Sequence, residues 1–374
     1  MKRNVLGGLF LALGALVFAA APALPAMAEQ TAKLGLGLAE SGPLAYLCSQ
    51  YKKGYEAAIA TANQQQHKIK FVLLTDDHKG IPSDAVTVAK RLIEEDGVKT
   101  IDMSLPSTVV FAVMSVSRQL KTPLIGGDSE VPSLVDQGNP YFFRTSSRLD
   151  YVGNALAKII HAKKYKTIAM LAPNDDYGRG AIKYLQDALV KLGSPKVVYK
   201  DYYEANQVDF SAVLLKMKSL NPDALYINVR YPASLTVLKQ MVQIGLKKPL
   251  FSSVNFYNPK LAKEAGPLLE GTYMVLDWAS EFGDPASKAF IKAYKKVEGS
   301  MPDSSASDGW TAAMTAIKAI EATGANASGP QIRAAMAKVD FIGPTGRIRF
   351  DKKGDARVPP VILLYQNGRY NPVR

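Results

Sequence analysis

Between residues 33 and 278 short apolar runs alternate with helical patterns, and this ordering constrains the fold more than any other feature. Strand-like runs are read at 33–38, 69–75, 100–105 and 123–126. A second series follows at 167–172, 196–202, 223–229, 249–254 and 271–278. In "SDAVTVAKRLIEEDG" the residues Ala85, Val88, Ala89, Leu92 and Ile93 share one helical face, and Gly97 fits the stop. "GAIKYLQDALVKLG" repeats the pattern with Ile182, Leu185, Leu189 and Leu192. Apolar strands alternating with helices imply parallel sheets covered on both faces. The expected class is α/β, with two doubly wound parallel-sheet lobes breaking near "FFRTSSRLD" (142–150). Three helices are expected at about 284–298, 304–323 and 328–338. A strand pair, "RIRFD" with "VILLYQ", is expected around the turn Lys352-Lys353-Gly354. Ligand then binds at the carboxyl ends of the strands, in the cleft between lobes.

The N-terminus adds a destination. Lys2 and Arg3 precede an apolar stretch from Val5 to Ala21, then Pro22, Pro25 and the small-x-small site Ala26-Met27-Ala28. That pattern reads as a secretory leader (1–28) cleaved before Glu29, so the mature chain is expected in the periplasm. A chain of 374 residues exceeds one compact core, which fits two lobes. The formal net charge of +13 is spread along helices and interleaved with acids, as at Lys90-Arg91 before Glu94-Glu95, so it reads as solvated surface, not a nucleic-acid face. The single cysteine, Cys48, forms no internal disulfide and reads as a small packing residue.

Enzyme readings find little support. Gly35-Leu-Gly37 lies inside a strand and is followed by Glu40 where a dinucleotide motif needs glycine; Asp76-Asp77 reads as an acidic turn. Ser49-Gln-Tyr-Lys52 matches the β-lactamase Ser-x-x-Lys, but Ser307-Asp308-Gly309 only approaches its companion motif and no Lys-Thr-Gly occurs. "GGDSE" (126–130) offers a serine without a base, because His67, His78 and His161 sit in polar, surface-like sequence. Asp76-Asp77-His78 lacks a completing zinc ligand, and "NDDYGRG" lacks the EF-hand spacing. No enzyme, metal or cofactor is expected.

The order of motifs resembles the periplasmic leucine/isoleucine/valine-binding solute-binding proteins of ABC importers. The motifs are "SGPLA", "PSTVVFAV", "PLIGGDSEVPSL", "YFFRTS", "NDDYGRGA", "DFSAVLLKMKSLNPDALYI", "LEGTYMV", "KAFIKAYKKVEGSMP" and "GPTGRIRFDKKGD". The resemblance implies a type I periplasmic-binding fold joined by three crossings. Its first lobe would hold residues 29–145 with 278–352, and its second 146–277 with 353–374. It implies a monomer that passes a small carboxylate to an inner-membrane permease.

It also implies a site. Ser107 and Thr108 match the hydroxyls that grip the ligand carboxylate at a helix start. Ser129 and Glu130 fall where the family often carries Ala-Thr, Tyr177 matches a cleft aromatic, and Arg230 and Tyr231 end a strand facing the cleft. Val254, beside Asn255, stands where amino-acid binders tend to carry the glutamate that pairs with the ligand ammonium. Either Glu130 replaces that charge or the ligand has no ammonium. Tyr46, Tyr151, Phe256 and above all Trp278 are candidate aromatic walls. The turn Ser41-Gly42-Pro43, whose free N–H groups could hold an anion, is placed at the cleft mouth with Tyr46 and Cys48. An aromatic or keto acid is slightly preferred as ligand. The alternatives are a branched-chain or other aliphatic amino acid, or a ligand-sensing role for the same fold.

Overall fold

The structure is a computed structural model that describes residue 1, residues 30–65 and residues 68–373; the expected leader and His67 lie outside the described residues. The first sheet holds β1 (Gln30–Leu38), β2 (Ile69–Asp77), β3 (Thr100–Asp102), β4 (Leu124–Gly126) and β5 (Phe142–Arg144). They lie parallel in the order β2-β1-β3-β4-β5. Between them run α1 (Ala45–Gln64), α2 (Pro82–Glu94), α3 (Ser107–Gln119) and α4 (Ser133–Asp136). Every residue from Leu34 to Leu38 is buried, so both faces of β1 are covered.

After α5 (Leu149–Ala162) the second series begins: β6 (Thr167–Pro173), α6 (Asp176–Leu192), β7 (Lys196–Tyr203), α7 (Ser211–Leu220) and β8 (Ala224–Ile227). It continues with α8 (Ala233–Gln243), β9 (Leu250–Ser253), α9 (Pro259–Ala265) and β10 (Tyr273–Leu276). The chain then returns to the first lobe, where α10 (Pro285–Glu298) and α11 (Ser304–Thr323) pack on α1. Next come α12 (Gly329–Met336), β11 (Asp340–Gly343) and β12 (Gly346–Arg349); β13 (Val361–Gln366) and β14 (Arg369–Pro372) then complete the second sheet. Its order is β14-β13-β10-β9-β8-β6-β7, antiparallel only at β13 and β14. The fold is the expected pair of doubly wound α/β lobes.

Two glycines set the first lobe's geometry. A Cβ on Gly54 of α1 would lie 1.9 Å from the Ala306 carbonyl oxygen, and one on Gly309 of α11 would lie 2.0 Å from that of Tyr51. The helices therefore cross backbone against backbone, which brings the first turn of α11 to the cleft. Gly309 thus explains "SDGW" as a packing motif.

Some expectations change. "RIRFD" and "VILLYQ" do not pair with each other: residues 346–349 form a hairpin with β11, while β13 joins β10. The largely apolar run of β13 buries Leu363 and Tyr365 against the second sheet, which a two-stranded hairpin could not cover. The turn between them belongs instead to a crossing. There Arg144 N–H donates to the Gly354 carbonyl (2.8 Å), and bridges link Arg144 with Asp355 and Ser147 with Val358. At the same place Asp355 accepts hydrogen bonds from Arg144 (2.7 Å) and Arg148 (3.1 Å), with Arg144 fully buried. His78, read as surface, is fully buried. It lies beside Gly37, whose missing side chain leaves it room, and its Nδ1 accepts from Gly80 N–H (3.1 Å).

Candidate functional site

The site grows from strand ends that face each other across the lobes. In the first lobe Ser107 and Thr108 open α3, Asp128 follows β4, and Ser305 lies in the first turn of α11. In the second lobe Tyr177 lies in the first turn of α6, Arg230 follows β8, and Val254 and Asn255 follow β9. Ser107, Asp128, Ser305, Tyr177, Arg230, Val254 and Asn255 together line an inner cavity of about 30 Å³, closed further by Leu47, Leu105 and Pro106. A larger chamber of about 810 Å³ adjoins it, sharing Pro106 and Arg230 and walled by both lobes. A groove of about 870 Å³ elsewhere is confined to α11, α12 and the start of β11, so it lies within one lobe.

The second-lobe wall is fixed by polar contacts. Tyr177 OH shares a 3.1 Å hydrogen bond with Ser253, and Asn228 and Asn255 donate to it at 3.3 and 3.4 Å. Asn255 also donates to Asn228 at 2.6 Å. Arg230 donates to Asp175 at 2.7 Å and lies 5.2 Å from the Tyr177 ring centroid, so one face of its guanidinium is spoken for by its own lobe. Asp175 also caps α6, accepting from Gly178 N–H at 2.8 Å.

The first-lobe wall is acidic. Asp128 keeps part of its surface open to the cavity, and it accepts a long hydrogen bond from the Ser305 hydroxyl at 3.5 Å. Behind it lie Glu130, Asp277 and Asp308, all buried. Ser304 donates to Asp277 at 2.9 Å, while Oδ1 of Asp308 is buried without a hydrogen-bond partner. Burial, then Asp277, push the Asp128 carboxyl up to about 7 against the pull of Arg230. Burial first, then Asp277 and Asp128, push Glu130 and Asp308 well above the usual range, and burial lifts Asp303 to about 6. The wall is short of positive charge.

This has a measurable consequence. An acid whose folded-state value is raised stabilises the fold below its unfolded value, near 3.9 for Asp, and that stability is lost as pH rises through the folded value. The ligand-free protein should therefore gain thermal stability as pH falls from 8 to 5.5, above the range where the hydrogen-bonded surface carboxylates Asp209, Asp223 and Asp340 lose theirs; Asp102, which burial also raises to about 7, adds to the gain, and His78, whose value burial lowers, opposes it. Scanning calorimetry should show a rise of a few degrees, each kcal/mol being worth roughly 2–4 °C. The rise should shrink in Asp128→Asn, and a variant that rises as much as the parent would refute the protonated cluster.

Of the residues expected from sequence, Ser107, Tyr177, Arg230 and Asn255 meet at the inner cavity. Tyr46, Thr108, Tyr231 and Arg230 line the outer chamber, together with Ser41, Gly42 and Pro43. The rings of Tyr46 and Tyr231 touch across the lobes at 5.0 Å. The others lie elsewhere. Ser129 donates to the Ser104 carbonyl (2.7 Å), its own N–H donates to Ser146 (3.2 Å), and Glu130 sits behind Asp128 at 4% exposure. Trp278, at 2% exposure, donates to Ser287 (2.9 Å) and packs edge-on against Phe290 and Tyr257, so it is core in place of cleft wall. Phe256 is also core, and Tyr151 lies under Arg148. Cys48 is buried, its thiol pushed up to about 12 chiefly by burial. Beside the Ser41 turn Asp77 accepts from Glu40 N–H (3.0 Å), Lys79 N–H (2.7 Å) and the Ser41 hydroxyl (3.3 Å), so the anion held there is the protein's own carboxylate. Sequence reasoning passed over Asp128 and Ser305; the acidic pair in "GGDSE" was the available signal for the first.

Comparison with known proteins agrees with this architecture. Residues 31–366 match the family described as Periplasmic binding protein. The chain belongs to that family. Within it the likeness is to the leucine/isoleucine/valine-binding type. Leu/Ile/Val-binding protein homolog 1 of Brucella suis is 26% identical, over 91% of this chain and 93% of that protein. The isoleucine complex of the substrate-binding protein LivJ of Streptococcus pneumoniae superposes with a TM-score of 0.84 at 21% identity, covering 91% of this chain and 98% of that one. A solute-binding protein of R. palustris in complex with benzoate gives 0.83 at 22% identity, covering 92% and 95%. At these identities the two structures speak for the fold alone.

Proposed function

We propose that this family member is an exported solute-binding protein of an ABC importer, that it captures an α-amino acid or a close zwitterionic relative, and that it delivers it to a membrane permease. Export after loss of residues 1–28 is part of the proposal, as is a hinge formed by the three crossings near 145–148, 277–284 and 350–360. The observation that carries the ligand class is the opposition of Asp128 and Arg230 across one cavity, each on a different lobe. A carboxylate suits Arg230 and the hydroxyl of Ser107, and an ammonium suits Asp128, which forms no ion pair with a cation of its own lobe among the described residues. This reverses the slight preference for an ammonium-free acid drawn from Val254, because Asp128 offers a counter-charge from the first lobe, after β4, in place of the second-lobe position after β9. A ligand touching both lobes favours their closed arrangement, since those contacts are lost when the lobes part.

The test is thermal unfolding of refolded, ligand-stripped protein against α-amino acids, keto acids and aromatic acids. A ligand at about 100 times its dissociation constant adds roughly 2.7 kcal/mol. Stabilisation by amino acids and not by the matching keto acids is the expected result. Stabilisation by the ammonium-free acids alone would sink the zwitterion reading.

A further inference from the structure

The two compartments of the cleft differ in size and character. The inner cavity, about 30 Å³, has room for one or two waters, or for the charged groups that would replace them. The outer chamber, about 810 Å³, lies within the range of whole small-molecule sites. The two are adjacent, with Pro106 and Arg230 lining both, so a ligand spanning that shared edge would reach into each. The chamber's walls are chiefly apolar and aromatic: Leu44 and Tyr46 from one lobe, Tyr203, Val208, Tyr231 and Ala233 from the other. Val208 is 79% exposed, an apolar side chain left bare on that wall.

We infer that the ligand is larger than a branched-chain amino acid: its charged head fills the inner cavity and an elongated, mainly apolar or aromatic body fills the outer chamber. A branched-chain side chain would leave most of the chamber as water, whereas a long aromatic body would cover Val208 on one wall and the partly exposed Leu44 and Tyr46 on the other, gaining the burial that drives apolar association. The identity of the head rests on the zwitterion reading above; the location of the body does not.

Two ligand series with graded length separate these claims. One is L-alanine, L-leucine, L-phenylalanine, L-tryptophan and 4-phenyl-L-phenylalanine; the other is benzoate, 2-naphthoate and biphenyl-4-carboxylate. Calorimetric titration of the ligand-stripped protein is compared with Ala233→Trp, at the start of α8, and with Ala205→Trp, in an exposed loop on another side of the chamber. The loop variant guards against a folding defect in the first. Affinity is expected to rise along the series that binds. Each chamber-filling variant should lose at least tenfold more for the longest member than for the shortest. Binding confined to the aromatic acids would remove the zwitterion head while the variants still decide the chamber. Affinity peaking at leucine, an equal effect of the variants on all lengths, or no binding in either series would overturn the inference.

Discussion

Asp128→Asn is expected to weaken α-amino-acid binding by about 30-fold or more. Removing one partner of a desolvated charge pair costs roughly 2–5 kcal/mol, and 1.4 kcal/mol is tenfold in affinity. Asparagine keeps the shape and can still meet Ser305, so the loss reports charge. The sign of the effect separates ligand classes. An acid without an ammonium meets Asp128 as a like charge, so the same substitution should leave its affinity unchanged or improve it. Isothermal titration with leucine, phenylalanine and their keto acids reads both signs in one experiment. A weakening shared equally by amino and keto acids would mean Asp128 shapes the pocket without pairing to the ligand.

Asp355→Ala should be the most damaging substitution for stability outside the apolar core. Arg144 is fully buried and gives Asp355 two hydrogen bonds, through Nε at 3.3 Å and a terminal nitrogen at 2.7 Å, with a third to the Val131 carbonyl at 3.0 Å. Replacing the pair by apolar groups could be harmless, but deleting one member strands a guanidinium in the interior. The cost is about 3–5 kcal/mol. Urea titration should show a markedly lower midpoint, with Asp355→Asn in between because its amide oxygen still accepts. A loss near that of an exposed pair such as Arg347–Asp340, about 0–1 kcal/mol, would show that water reaches the site.

The fold was largely legible because parallel strands buried on both faces must be apolar runs, and helices between them must carry one apolar stripe. Ala85, Val88, Ala89 and Leu92 lie buried on α2 as their spacing demanded, and α10 to α12 begin and end within about two residues of expectation. β5 escaped notice as a strand because it is three residues long and ends in an arginine whose partner lies 211 residues away. β13 was paired with the wrong neighbour because strand pattern specifies burial, not partner.

Of the candidate site, the residues the family resemblance named at strand ends and helix starts, Ser107, Tyr177, Arg230 and Asn255, come together at the inner cavity, because parallel α/β sheets gather those positions at one edge. Side-chain direction beyond the strand was not legible. The family resemblance pointed to Glu130 in "GGDSE", while the loop after β4 turns Asp128 to the cavity and buries Glu130. Ser305 reaches the same cavity from 177 residues further on, by way of the glycine contact between α1 and α11. Trp278 looked like a cleft wall by position, but its ring finds Phe290 and its N–H finds Ser287, neither of which a strand pattern announces.

The two bridges that tie Arg144 to Asp355 and Ser147 to Val358 give the joint a mechanical character. Two crossings laid side by side as a ribbon bend readily across their width but resist sliding and twisting. The hinge proposed above would then leave the lobes close to a single degree of freedom, like a lid on a strip of tape and unlike a ball in a socket. Each swing of such a hinge would return Tyr46 to Tyr231 and Asp128 to Arg230 in the same alignment, so the entropy of finding the closed arrangement would be met once, at folding, and not again with every ligand.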